Sequence, residues 1–118
     1  MPRTPVFLFR EAEGAVPLLD WLDELPTKAK VKCRTRIERL EELGHELRRP
    51  EADYLRDGIY ELRISLQGIQ YRLLYFFHGN TAVISHGLIK EREVPDREID
   101  LAMEQRERYR RDPQRHTA

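Results

Sequence analysis

The chain has 118 residues, 40% of them hydrophobic, which is enough for one domain with a single core. Its 21 basic residues balance 21 acidic ones, so the net charge predicts neither nucleic-acid nor membrane binding. One cysteine, Cys33, excludes an internal disulfide and a multi-cysteine zinc site. No apolar run approaches the ~18 residues of a membrane-spanning helix, and the N-terminus lacks a signal-peptide pattern. We therefore expect a cytoplasmic protein.

The N-terminal quarter of the chain predicts a strand and a first helix. Residues 6–9 form a short apolar run that is typical of an opening strand. Pro17 is a residue that suits the first turn of a helix, and the leucines and Trp21 that follow it recur at helical spacing. This pattern predicts a helix over 15–25.

A second helix is predicted over 28–43, with Thr27 as its cap and Gly44 just past its end. Its apolar stripe includes Cys33, which we interpret as a small buried hydrophobic residue rather than a catalytic thiol. Lysines and arginines fill the other faces of this helix. Residues 45–57 are polar and are predicted to be a connection without regular structure.

Residues 59–66, 70–77 and 81–89 predict three consecutive antiparallel strands. The first strand alternates apolar and polar side chains, which indicates one buried face. If Gln67-Gly68 is a two-residue hairpin turn, the register sets Arg63 directly opposite Arg72.

This pair of arginines has two interpretations. Two cations held on rigid strands suit a phosphate-binding site, whereas the simpler alternative is that each arginine pairs with a nearby carboxylate such as Glu61. Like charges that face each other across a ladder are destabilising. We therefore expect that removing either arginine costs little stability, or even raises it.

Pro95 and Asp96 open a predicted last helix, and the polar residues 112–118 after it are expected to be a flexible tail. The element order is β-α-α-β-β-β-α. It predicts an α+β fold in which two N-terminal helices pack on one face of a small antiparallel sheet. Residues 1–111 are expected to form a single domain.

Several polar and aromatic residues near the strands and in the last helix have both a structural and a functional interpretation. His86 lies on the predicted strand face of Ile84, Leu88 and Lys90, and is either a hydrogen-bonded structural residue or a general acid or base. Tyr109 either packs in the core or stacks on a base. The basic run that begins at Arg106 is either a solvated helix face or an RNA contact. The histidines show no metal-ligand spacing.

Three stretches resemble the RelE/HigB superfamily of bacterial toxins, in its phage-derived HigB-like branch. They are DGIYELRISLQGIQYRLLYFF (57–77), AVISHGLIK (82–90) and VPDREIDLA (94–102). The shared pattern is a Glu-Leu-Arg strand, a Tyr-Arg strand, a strand that ends in His-Gly-x-x-Lys, and a helix that starts with Pro-x-x-Glu-Ile.

The resemblance implies a microbial-ribonuclease-like fold and a toxin of a type II toxin–antitoxin system. Members of the superfamily cleave mRNA, usually on the ribosome, without a metal or other cofactor. A cognate helix-turn-helix, HigA-like antitoxin neutralises the toxin. The expected partners are therefore mRNA, the ribosome and such an antitoxin, and no membrane.

The resemblance assigns Arg63, Arg72 and Lys90 to phosphate and transition-state contacts, with His86 as a lower-ranked proton-transfer candidate. Arg92, Arg106 and Tyr109 are candidate RNA contacts. Two features depart from the branch. Glu91 follows Lys90 where many relatives have a second lysine, and the net charge is zero where ribosome-targeting toxins are often basic. The Glu91 departure favours an alternative function, a non-catalytic RNA- or ribosome-binding module on the same fold. A phage-derived interaction module is a further alternative, because this branch is common in prophages.

Overall fold

The computed structural model describes residues 3–118 and has the predicted α+β class. The elements in chain order are β1 (Val6–Leu8), α1 (Pro17–Asp23), α2 (Thr27–Leu43), a single 3-10 turn (Gly44–Glu46), β2 (Ala52–Arg56), β3 (Ile59–Leu66), β4 (Ile69–His78), β5 (Thr81–Lys90) and α3 (Asp96–Arg111). Within residues 3–118, no helix is both long enough and apolar enough to cross a lipid bilayer.

The three predicted strands β3, β4 and β5 form the centre of a five-stranded sheet of order β1-β5-β4-β3-β2. The hairpin between β3 and β4 has the predicted register, in which Leu66 pairs with Ile69 and Arg63 with Arg72. Gln67 and Gly68 both have positive φ angles, 51° and 83°. This is the backbone that a two-residue hairpin with the correct twist requires.

The strand β2 was not predicted, because residues 45–57 were interpreted as an irregular connection. Its residues pair antiparallel with β3, and Asp57 and Gly58 form a second two-residue turn with positive φ angles of 51° and 83°. β2 is a short edge strand rich in charge, so it lacks the alternation of a half-buried strand. The prediction of a purely antiparallel sheet was also wrong, because β1 pairs parallel with β5.

Helices cover both faces of the sheet, whereas the sequence predicted them on one face. The helices α1 and α2 pack as expected on the face that carries Leu62, Leu73 and Tyr75. The helix α3 packs on the opposite face, against Leu74 and Phe76. The second core exists because both faces of β4 are apolar along the half of the strand that ends at His78. Cys33 is fully buried in the first core, and burial raises the pKa of its thiol to about 11.

The C-terminal segment 112–118 is docked on the sheet, in contrast to the flexible tail that its polar sequence predicted. The ring of His116 stacks on Phe9 at a centroid distance of 5.1 Å. The backbone N–H of Arg10 donates to the His116 carbonyl at 2.8 Å, and the N–H of Ala118 donates to the Leu8 carbonyl at 2.9 Å. The tail thus satisfies backbone groups on the outer edge of the first strand, which would otherwise be unpaired.

Candidate functional site

The candidate site lies at the end of the sheet where the hairpin between β3 and β4 turns. Directly opposed side chains share a face of the sheet, so the register fixes three rows of neighbours. These rows are Ser65–Gln70–Lys90, Arg63–Arg72–Leu88 and Glu61–Leu74–His86. The structure therefore brings Arg63, Arg72 and Lys90 to one face, the same face on which α3 packs further along the sheet.

Glu61 lies between the two opposed arginines. Its Oε1 atom is 3.2 Å from Arg72 Nε, and its Oε2 atom is 3.9 Å from Arg63 Nε. The side chains of Glu61 and Arg72 are 5% and 2% exposed, whereas that of Arg63 is 24% exposed. The simpler interpretation of the sequence, that Glu61 compensates the arginines, is therefore confirmed. The carboxylate offsets part of the repulsion between the two arginines, although burial and, to a smaller extent, the charge of Arg63 still lower the pKa of Arg72.

Arg72 is an unusually buried cation. Its Nη1 donates to the Tyr71 carbonyl at 3.0 Å and reaches Gln70 Oε1 at 3.5 Å. Arg72 Nε and Glu61 Oε1 are in contact but are not aligned for a hydrogen bond, so neither atom is satisfied by a protein partner. Burial lowers the pKa of Arg72 and outweighs the opposing effect of Glu61. Arginine nevertheless stays protonated in proteins, so a positive charge is held in place here.

A pocket of about 330 Å³ opens at the uncovered edge of β3, where residues from both faces of the sheet line it, and its cations come from α2, β3 and β4. Lys32 and Arg36 of α2 line it together with Arg63 and Arg72, and Lys32 Nζ donates to the Ser65 carbonyl at 2.7 Å. Among residues 3–118, no acidic residue and no histidine lines this pocket. We call this set of Lys32, Arg36, Arg63 and Arg72 the cationic pocket.

The sequence interpretation missed Lys32 and Arg36, because it assigned the basic residues of α2 to solvated faces. Their spacing of four residues places both side chains on one helix face, and this was the available signal. What the sequence did not show is that the edge strand β2 begins only at Ala52, opposite Leu62 of β3. The second half of β3 is thereby left uncovered next to this face of α2.

Lys90 and Arg92 lie outside the pocket lining. Lys90 is partly exposed and is the ladder partner of Gln70, which does line the pocket, so its side chain is one strand away on the same face. Arg92 lies in the loop before α3, where it lines a separate depression with Glu91, Glu93 and Arg97. The structure thus brings Lys90 close to the arginine pair, but it does not bring Arg92 there.

His86 is held in a buried network. Its Nε2 is 2.9 Å from Glu98 Oε1, and its Nδ1 is 2.7 Å from the hydroxyl of Ser85, which also bonds Gln105. The side chain is 9% exposed, and burial lowers its pKa despite the opposing effect of Glu98. These contacts explain His86 as a structural residue that joins β5 to α3. They give it no direct access to a substrate in the cationic pocket.

The structure places His86 on the face of Leu88 and Lys90 as predicted, and a β-bulge explains why Ile84 does not share that face. Leu74 pairs with His86 and Tyr75 pairs with Ile84, so Ser85 is an extra residue in β5. The bulge turns Ile84 to the α1 and α2 core, whereas Ser85 and His86 both contact α3. The sequence AVISHGLIK has no pattern that predicts a bulge at Ser85.

Arg106 and Tyr109 of α3 are occupied by internal contacts. Arg106 Nη1 donates to the Asp57 carbonyl at 2.6 Å and so fixes the turn between β2 and β3. Tyr109 is 3% exposed, packs against Phe76, and its hydroxyl accepts a hydrogen bond from Thr117. The packing interpretation of Tyr109 agrees with this burial, and Tyr109 is not part of the surface that we propose for RNA.

The described residues 3–118 contain no group of three or more His, Cys, Asp or Glu side chains arranged to hold a metal ion. A model of the family described as "Phage derived protein Gp49-like (DUF891)" matches residues 20–107. No curated protein matches the chain. Because the match covers most of the chain, the chain belongs to the Gp49-like family, a phage-derived family of the RelE/HigB-like toxin type. A toxin of this type implies an antitoxin partner in general.

Proposed function

We propose that this member of the Gp49-like family is the toxin of a type II toxin–antitoxin system and a metal-independent mRNA endonuclease that acts on translating ribosomes in the cytoplasm. The observation that carries the proposal is the cationic pocket, in which four cations from one helix and two strands converge. A pocket lined by cations and free of carboxylates among residues 3–118 favours a phosphate ligand.

The chemistry of RNA cleavage explains why such a pocket is useful. The ribose 2′-hydroxyl loses its proton and attacks the adjacent phosphorus, the bond from phosphorus to the 5′-oxygen breaks, and a cyclic phosphate forms. Solvent water takes the proton, because no acidic residue or histidine among residues 3–118 lines the pocket. Negative charge builds up on the phosphate oxygens as the 5′-oxygen departs. Cations that are fixed in advance stabilise this charge without having to reorganise during the reaction. Arginine adds planar, paired N–H donors that match two phosphate oxygens at once.

Arg63 and Arg72 have different roles in the proposed reaction. Arg72 is buried and anchored by Glu61 and the Tyr71 carbonyl, so it supplies a fixed charge at the wall of the pocket. Arg63 is 24% exposed and lies 3.9 Å from its carboxylate, so its guanidinium is free to engage a phosphate. We assign Arg63 to direct phosphate contact and Arg72 to electrostatic stabilisation from the pocket wall.

Lys32 and Arg36 complete the pocket from the side of α2 and are assigned to the neighbouring phosphates of the RNA strand. Lys90 is assigned to the departing 5′-oxygen, because it is the partly exposed cation one strand away on the same face. An ammonium group in that position can donate its proton to the leaving oxygen.

A second candidate function is a non-catalytic RNA- or ribosome-binding module. Two observations favour it over catalysis. Glu61 already offsets part of the charge of Arg63 and Arg72, and no acidic residue or histidine within residues 3–118 lines the pocket to take the 2′-hydroxyl proton. In this case the pocket would bind the RNA backbone without cleaving it.

Induced expression in bacteria, with sequencing of RNA 5′ ends, separates the two functions. The endonuclease predicts growth arrest and new 5′ ends within coding regions, and relief of both by co-expression of the protein encoded next to it. Growth arrest without new 5′ ends would favour the binding module. Normal growth with confirmed soluble protein would contradict the toxin and favour the non-catalytic module.

A further inference from the structure

A second pocket lies on the other side of the segment that borders the cationic pocket. It has a volume of about 370 Å³ and is lined by Leu47, Arg48, Asp53, Tyr54 and Tyr60. Tyr54 is 52% exposed, which is unusual for a large aromatic side chain on a strand that already has a paired neighbour. We call this set the tyrosine pocket.

The exposed tyrosine is held rigidly. Tyr54 pairs with Tyr60 across the ladder, and their rings meet edge to face at a centroid distance of 5.0 Å. Tyr60 in turn stacks on the buried Tyr75 at 5.3 Å. The Tyr54 hydroxyl accepts a hydrogen bond from the Gly58 N–H at 2.9 Å. A ring fixed at both ends loses little conformational entropy when a planar ligand stacks on it.

Polar groups at the rim of this pocket are charged and already oriented. Asp53 accepts hydrogen bonds from Arg49 at 2.8 Å and from the Tyr54 N–H at 3.0 Å. Burial by itself would raise the pKa of Asp53, but these two bonds lower it overall, and the carboxylate lies on the sheet face of its ladder partner Glu61, away from the Tyr54 ring. Arg48 donates to the Leu47 carbonyl at 3.0 Å, which places its guanidinium beside the rings.

We propose that the tyrosine pocket binds an unstacked nucleobase of the RNA strand whose phosphates occupy the cationic pocket. This inference rests on the proposed function for its ligand class. Nearby residues of one chain segment line the two pockets, Pro50 the cationic pocket and Arg48 and Asp53 the tyrosine pocket. Tyr60 and Arg63 lie on opposite faces of β3, but Ile64, which lines the cationic pocket, shares the face of Tyr60 and is four residues away, roughly 13 Å along the strand. One RNA strand can therefore reach both.

The ligand class follows from the chemistry of the rim. An aromatic face accepts any base by stacking. The cations that continue along this edge, Arg48 and Arg49, favour a polyanion over an apolar protein segment as the occupant.

The test measures binding of a short 2′-O-methyl RNA, which lacks the attacking hydroxyl and is not cleaved. The fluorescent base 2-aminopurine is placed at successive positions along it. The variants are Tyr54→Ala and the conservative Tyr54→Phe, each checked by a thermal melt. The matched control is Phe7→Ala, because Phe7 is 38% exposed on the strand at the opposite edge of the sheet.

The proposal predicts that one position shows quenched fluorescence with the wild type and with Tyr54→Phe. It predicts that Tyr54→Ala loses this quench and binds roughly 5- to 150-fold more weakly, the range of one base–aromatic stack. An RNA without a base at that position should lose the same factor with the wild type and nothing further with Tyr54→Ala. Phe7→Ala should match the wild type.

Equal binding of the intact and abasic RNAs by the wild type would overturn the base site and leave the proposed function standing. Unchanged RNA binding by Tyr54→Ala, together with a weaker complex with the antitoxin, would assign the tyrosines to a protein partner and also overturn it. Failure of the wild type to bind any of these RNAs would overturn this inference, whereas the proposed function is tested separately by cleavage of mRNA on programmed ribosomes.

Discussion

Glu61 Oε1 lies 3.2 Å from Arg72 Nε, and both side chains are almost completely buried. Because of this pair, removing Arg72 should lower the stability of the fold, whereas the sequence predicted little change or a gain. The sequence alone suggested that two opposed cations repel each other, so that removing either would cost little stability. With Glu61 between them, removing Arg72 leaves a buried carboxylate whose other cation is 3.9 Å away. Breaking a buried ion pair from one side is strongly destabilising.

The first prediction therefore concerns stability. Glu61→Gln should lower the free energy of unfolding by about 3–5 kcal/mol, because it leaves buried Arg72 without its counter-charge. Glu107→Gln is the matched control, since it breaks an exposed pair with Arg110 and should change stability by no more than about 0.5 kcal/mol. Urea unfolding measures both. Equal stability of Glu61→Gln and the wild type would show that the pair contributes nothing.

The second prediction concerns the cations of α2. The double variant Lys32→Gln with Arg36→Gln should weaken RNA binding and flatten its dependence on salt, because two phosphate contacts are lost. The control carries the same charge change two residues earlier in the same helix. Lys30→Gln with Arg34→Gln changes residues that line a different groove, beside Leu19 and Leu22 of α1.

Filter binding over a series of salt concentrations separates the two double variants. If they weaken binding equally, only the general charge of α2 matters, and the assignment of Lys32 and Arg36 to the pocket would be wrong.

The third prediction is a pH dependence of stability from His86. Burial holds the pKa of His86 below its ordinary value of about 6.5, so the unfolded chain binds more protons than the folded chain near that pH. Stability should therefore be fully present above pH ~6.5 and fall as the pH drops below it, by at most about 1.4 kcal/mol per pH unit.

His86→Gln should lose this part of the pH dependence, because glutamine does not titrate. Thermal melts of both proteins between neutral and mildly acidic pH provide the measurement. A wild-type protein that becomes more stable than the variant as the pH falls through this window would show that the Glu98 charge dominates over burial.

The fourth prediction concerns the docked C-terminal segment. Truncation after Arg111 should lower Tm by at least about 4 °C, because it removes the His116–Phe9 stack and the backbone bonds to Leu8 and Arg10. The single variant His116→Ala should cause part of the same loss. If the truncated chain has the same Tm as the full-length protein, the segment does not stabilise the fold, and the prediction of a flexible tail would be supported.

The local rules of the sequence predicted a large part of this fold. The Gln67-Gly68 turn determined the register of the central hairpin, and that register alone placed Arg63 opposite Arg72. The helical stripes predicted α1 and α2 with small errors at their ends. These features follow from contacts between residues near each other in the chain, and short-range patterns record such contacts.

The remaining features depend on contacts between distant segments. The bulge at Ser85 and the docking of His116 on Phe9 have no local signature. The closeness of Lys32 and Arg36 to Arg63 follows from how α2 lies on the sheet and from the start of β2 at Ala52, opposite Leu62. The pattern of basic residues in α2 fits a solvated face equally well, so the sequence could not distinguish a pocket wall from a surface.

The most direct test of the central claim, that the cationic pocket cleaves RNA, is to map mRNA 5′ ends on programmed ribosomes with purified protein. Arg63→Ala is the informative variant, because Arg63 is partly exposed and its loss leaves the Glu61–Arg72 pair in place. The control is Arg110→Ala, at an exposed pair on α3. The wild type and the control should cut the mRNA, and Arg63→Ala should cut roughly a hundredfold more slowly while melting near the wild-type temperature. Cleavage by Arg63→Ala at the wild-type rate, or intact mRNA with the wild type on active ribosomes, would contradict the account.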